Sequence, residues 1–122
     1  MKAVAEYRKD LVYIELERLI EEAGVHITYE KVHDDSIDGA IWARSDYNTD
    51  AIMMPDTDEF PDAQTACLIL GHEMGHILSR IDSPDDPVER RKNEAEVDLI
   101  GVYLFKLAER IAGEKQEKLY RL

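Results

Sequence analysis

The sequence predicts an α+β domain: one helix, then a small three-stranded sheet, then two helices. Three observations carry this. An apolar stripe of Val12, Leu16, Leu19, Ile20 and Ala23 recurs at helical spacing and ends at Gly24. Three short runs rich in apolar or β-branched residues, 25–29, 40–43 and 51–54, are separated by turn residues. Two longer stretches of helical character, starting near Pro61 or Asp62 and near Val88, fill the second half. The order is too short for a Rossmann-type alternation, and the strands are close enough in sequence to pair as a meander.

The first helix is expected over 3–23. Val25-His26-Ile27-Thr28-Tyr29 alternates and reads as the first strand, with His26 turned to solvent. Asp38-Gly39 marks a turn before the second strand, Ala40-Ile41-Trp42-Ala43, in which Trp42 covers the core. Asp46 to Asn48 form another turn, and Ala51-Ile52-Met53-Met54 is the third strand, stopped by Pro55. Pro61 and Asp62 suit a first helical turn, and the second helix runs to about Ser79. Ser83 to Pro87 is a loop. The third helix runs from about Val88 to Ala112, with Gly113 as its stop, and the last nine residues have no assigned structure. The sheet is expected to pack on the second helix.

With 122 residues the chain is read as one domain, 1–122, with a modest core and no room for a separate substrate-binding domain. The formal net charge of −12 makes phosphate attraction unfavourable, so direct nucleic-acid binding is not expected. The same acidity keeps a small protein soluble and suits a basic protein partner. The apolar runs fall short of the ~18 residues that span a bilayer, so no membrane segment is expected. Met1-Lys2-Ala3-Val4-Ala5-Glu6 lacks a signal-peptide core, and Cys67 is the single cysteine, which together suit a cytoplasmic location. Cys67 reads as a small core residue.

His72-Glu73-Met74-Gly75-His76 spells H-E-x-x-H within the second helix. Residues four apart share a helix face, so both imidazoles can reach one Zn²⁺. Glu73 is then the candidate general base for the water that the metal activates. A catalytic zinc needs a third protein ligand, and Asn93-Glu94-Ala95-Glu96-Val97-Asp98 offers two. Glu94 is the leading candidate. Glu96 is the competitor, roughly 200° around the helix from it, so both cannot face one metal. Asp98, one turn beyond Glu94, is placed to accept a hydrogen bond from a ligating histidine. Gly71, Gly75 and Gly101 are mid-helix glycines, each costing ~1 kcal/mol relative to alanine. They imply a close approach of the second and third helices beside the metal.

Tyr47, in the turn before the third strand, is a candidate for stabilising an oxyanion or contacting substrate. Tyr103 reads as a packing residue of the third helix. His33, Asp34, Asp35, Asp85 and Asp86 read as loop residues without the spacing of a calcium site.

H-E-x-x-H completed by Glu94 and Asp98 resembles the gluzincin metallopeptidases. More closely, His72 to Leu78 and Glu94 to Gly101 are similar to the H-E-[LIM]-G-H and E-x-E-A-[ND]-x-F-A stretches of the ImmA/IrrE family of small peptidases, over roughly residues 40–105. Val97 replaces the family's alanine, Ile100-Gly101-Val102 replaces F-A-A, and Leu104-Phe105-Lys106-Leu107 stands where L-L-M-P often closes the helix. The resemblance implies a minimal zincin-like domain with an active-site helix and a glutamate helix, a Zn²⁺ cofactor, and cleavage of a regulatory protein. Family members are associated with phages and mobile elements and with cleavage of helix-turn-helix repressors. It further implies that the third strand is the edge that aligns a substrate backbone. A chain that keeps the zinc site but only sequesters a repressor or phage protein is the alternative. A zinc that merely staples two helices would leave Glu73 without a use.

Overall fold

The computed structural model describes residues 5–31, 43–80 and 85–120. It shows a small α+β fold of three helices and a mixed three-stranded sheet. The N-terminal region is not one helix. A 3-10 turn, Glu6–Lys9, precedes helix α1, Leu11–Glu22, and the chain breaks between them at Asp10. Asp10 is extended, and its carboxylate accepts hydrogen bonds from the amides of Val12 and Tyr13, satisfying donors that a helix start leaves open. A carboxylate in that role favours a new helix start over continuation. Leu16 and Ile20 of the expected stripe are buried. Ala23 is exposed, and Tyr13 fills the core instead, its hydroxyl 2.8 Å from that of Tyr29. Gly24 follows α1 at φ +92°, a conformation that favours glycine.

Strand β1, His26–Lys31, β2, Arg44–Asp46, and β3, Ala51–Asp56, stand in the order β1-β3-β2. This is not a meander. β1 runs parallel to β3, with Ile27 opposite Ile52, and only β2 is antiparallel to β3, with Ser45 opposite Ile52. β3 is therefore the central strand among the described residues, and β2 lies on its outer side. The second strand falls at 44–46; Ala43 lies outside it, and 40–42, with Trp42, lie outside the described residues, as do His33, Asp34 and Asp35. Pro55 does not stop β3. It is buried within the strand, where β2 no longer pairs, and its carbonyl accepts from the Tyr7 hydroxyl. A missing N–H is tolerated where no ladder partner needs it. Ile27, Ile52 and Met54 turn to the core, and His26 is exposed, as expected.

Helix α2, Ala63–Ser79, starts at Asp62, whose carboxylate accepts from the Thr65 amide at 2.8 Å and from its hydroxyl at 2.7 Å. Ala66, Cys67, Leu70, Met74 and Ile77 bury its inner face. Helix α3, Pro87–Tyr120, starts at the proline, with Asp86 accepting from the Val88 amide. It does not end at Gly113. The residues after it are strong helix formers, and Lys115 reaches back to Glu15 of α1, which ties the extra turns down. Val97, Phe105, Ala108 and Ala112 form the buried face of α3. Tyr103 falls off that face and is 66% exposed, so it does not pack as the sequence suggested. Among the described residues, no helix is long and apolar enough to cross a membrane.

Candidate metal centre

The site is built where α2 and α3 cross at backbone contact. A β-carbon on Gly71 would stand 2.8 Å from the Gly101 carbonyl oxygen, and one on Gly75 would stand 2.9 Å from both Val97 Cγ1 and its carbonyl oxygen. No ordinary side chain fits at those distances. The crossing brings the flank of α3 carrying Glu94 and Asp98 against the flank of α2 carrying His72 and His76.

Four side chains converge there. The Nε2 atoms of His72 and His76 lie 3.2 Å apart. Glu94 places Oε2 at 3.1 Å from the His72 nitrogen and Oε1 at 3.4 Å from the His76 nitrogen. A tetrahedral ion with bonds of about 2.0–2.1 Å to its ligands has ligand–ligand edges of roughly 3.3 Å. All three separations match that edge. The donor set, two imidazoles and a carboxylate, is one that zinc accepts. Glu96 is exposed and outside this cluster.

Asp98 completes the arrangement. Its Oδ1 lies 2.6 Å from Nδ1 of His72, which donates to it. That donation places the ring's lone pair on Nε2, the atom facing Glu94 and His76. A lone pair, a carboxylate and a second imidazole nitrogen at these distances repel one another unless a proton or a cation sits among them. The chemistry of the donors thus fits a bound divalent ion.

Glu73 projects from the same helix but stands apart from that cluster. Burial pushes its carboxyl above the ordinary carboxylate range, opposed by a hydrogen bond from Ser45 and by the nearby His76 and His72. The Ser45 hydroxyl on β2 donates to Glu73 Oε2 at 3.0 Å. Sequence reasoning missed Ser45. Only its place on the inward side of a three-residue strand, between exposed Arg44 and Asp46, marks it out. A part-buried carboxyl whose neutral form is favoured by desolvation has the chemistry of a group that takes and returns a proton.

Tyr47 lies in the turn after β2, with its half-buried ring packed on the core and its carbonyl accepting from Arg80. Cys67 is buried in the core, as expected. A separate depression of about 420 Å³, lined by Tyr7, Asp58, Phe60 and Pro61 among others, involves none of His72, Glu73, His76, Glu94 and Asp98. Its acids are in structural use: Asp10 and Asp62 cap helices, and Asp58 accepts from the Glu6 amide.

Comparison of the chain with protein-family models, curated proteins and solved structures gave no match.

Proposed function

We propose that this chain is a zinc-dependent endopeptidase of narrow specificity, with a minimal zincin-like fold, that cleaves a regulatory protein in the cytoplasm. The observation that carries the reading is the trio of His72, His76 and Glu94 donor atoms, spaced 3.1–3.4 Å apart, with the separately held carboxylate of Glu73 beside it. Zinc held by those three residues would supply Lewis acidity, polarising a carbonyl and making water acidic enough to attack near neutral pH. Asp98 keeps the His72 ring in one tautomer and one orientation. Glu73 takes the proton of the attacking water and returns it to the leaving amine. The similarity of His72 to Leu78 and Glu94 to Gly101 to the ImmA/IrrE stretches supports the substrate class, a helix-turn-helix repressor. With a net charge of −12, contact with DNA runs through that partner.

The expected role of the third strand as the substrate-aligning edge is withdrawn, because β3 lies between β1 and β2. Metal content of the wild type and of His76→Ala, Glu94→Ala and Glu96→Ala tests the reading. About one zinc per chain is expected, lost with His76 and Glu94 and kept with Glu96. A folded, metal-replete wild type without stoichiometric zinc would overturn it.

A second reading, sequestration of a repressor without cleavage, draws on Leu99, Val102 and Tyr103, apolar side chains exposed on α3 just beyond Asp98. Glu73→Gln separates the two. Loss of biological effect with zinc retained supports cleavage, and an unchanged effect supports capture.

A further inference from the structure

We infer that Ser45 is a positioning residue that holds the Glu73 carboxylate off the metal ligands, and that Arg80 braces the hairpin that carries Ser45. The inference rests on the metallopeptidase reading above. Two glutamates flank the histidine pair, and the fold treats them differently. Glu94 turns both oxygens to the imidazoles. Glu73 comes from the helix that carries those imidazoles, yet it is absent from the cluster of converging donors among the described residues. The contact on its carboxylate is the Ser45 hydroxyl, at 3.0 Å from Oε2. A hydrogen bond to one oxygen restrains the rotation of the group and draws it toward β2. Without it, a carboxylate next to a divalent ion is itself a competent ligand, and it would occupy the position that substrate or water must use.

The hydroxyl is useful only if β2 keeps its distance from α2, and a second contact sets that distance. Arg80 ends α2 in the left-handed conformation, and its amide donates to the His76 carbonyl. Its guanidinium donates to the Tyr47 carbonyl at 3.2 Å and to the Asp50 carboxylate at 3.1 Å. Asp50, itself at φ +49°, accepts from the His26 amide through its carbonyl. The turn between β2 and β3 is thus tied to α2 on one side and to β1 on the other. Seven residues along α2, about 10 Å of helix, separate the two tethers of the hairpin.

The test uses Co²⁺ alone as the probe, with its visible absorption reporting coordination number. Wild type, Ser45→Ala, Ser45→Thr, Ser45→Val, Arg80→Ala and the Ser45→Ala/Glu73→Gln pair are each titrated, with folding checked by circular dichroism. Ser45→Ala is expected to bind cobalt with roughly twofold or greater loss of visible absorbance, as Glu73 joins the ligands and raises the coordination number. Ser45→Thr, which keeps the hydroxyl, should restore the wild-type spectrum. Arg80→Ala should shift it in the same direction as Ser45→Ala but less. Adding Glu73→Gln to Ser45→Ala should abolish the shift. Ser45→Val, which matches threonine in shape but has no hydroxyl and suits a strand, replaces the alanine variant if that one does not fold. Cobalt bound with the same spectrum in wild type and Ser45→Ala would overturn the inference and leave the metal site standing. No cobalt bound by folded wild type would instead overturn the metallopeptidase reading on which it rests.

Discussion

Gly71 and Gly101 touch backbone to backbone, with less than 3 Å between the place of a Gly71 β-carbon and the Gly101 carbonyl oxygen. Gly101 meets the same limit from the other side, where a β-carbon would lie 2.9 Å from the His72 amide nitrogen. Two opposed effects bear on Gly101→Ala. Helix propensity favours alanine by ~1 kcal/mol, while forcing a methyl into packed backbone costs about 1–3 kcal/mol or more. The obstacle is backbone, which cannot rotate away, so the steric cost wins. Gly71→Ala and Gly101→Ala are expected to lower stability and to weaken zinc binding, since the helix separation sets the Glu94–histidine distances. Gly113→Ala is the control. A β-carbon there meets nothing within 4 Å, and the substitution should stabilise the protein by about 0.5–1 kcal/mol. Urea denaturation of the three variants, with zinc titration of each, checks both directions. An unchanged midpoint in Gly101→Ala would contradict the close approach.

On the proposed reading, Asp98 acts on the metal through His72, whose Nδ1 it holds at 2.6 Å. Removing its carboxylate in Asp98→Ala leaves Nδ1 without the acceptor now at 2.6 Å, and the ring loses both its fixed tautomer and its orientation. Zinc affinity is expected to fall about 10- to 100-fold. Asp98 is an exposed side chain, so fold stability without metal should change little. Competition with a chromophoric chelator measures the affinity, and a metal-free melt serves as control. Equal affinity in variant and wild type would show that Asp98 does not orient the ring.

The parts of this molecule legible in the sequence are those set by local chemistry. Helical spacing brings His72 and His76 to one face, and the i, i+4 spacing of Glu94 and Asp98 does the same on α3. Gly71, Gly75 and Gly101 announce the crossing, whereas Gly113, also inside α3, meets nothing. What escaped is what long-range pairing decides. The β1-β3-β2 order cannot be read from strands that merely lie close in sequence. Ser45 gains its meaning only from a neighbour 28 positions away. Asp10 and Gly113 failed as local signals for opposite reasons. Asp10 caps a helix inside an apparently continuous stripe, while Gly113 is overridden by the tie between Lys115 and Glu15.

Cys67 should be inert in the folded protein. It is buried, and burial pushes its thiol up to about 12. At pH 8 that leaves roughly one thiolate in 10⁴, against about a quarter for an ordinary cysteine. Ellman's reagent at pH 8 is therefore expected to react slowly with the native chain and promptly after unfolding in guanidinium. Prompt stoichiometric reaction of native protein would place Cys67 outside the core.

The far end of α3 supplies a pH dependence. Lys115 and, next, Arg18 hydrogen-bond the buried Glu15 carboxylate and hold it below the usual range. A depressed folded pKa means that the contribution is fully present above the unfolded value, about 4.3, and is lost as pH falls through the folded one. Lys115→Ala removes the stronger of these contacts. Its urea midpoint is expected to fall below wild type at pH 7 and to converge on it as the pH is lowered toward 3, because protonated Glu15 no longer distinguishes the two. Helicity should report the same event, with the turns after Gly113 fraying in the variant at neutral pH. A constant gap in midpoint from pH 7 to pH 3 would show that Lys115 acts by packing its methylenes on α1, with no part played by the Glu15 charge.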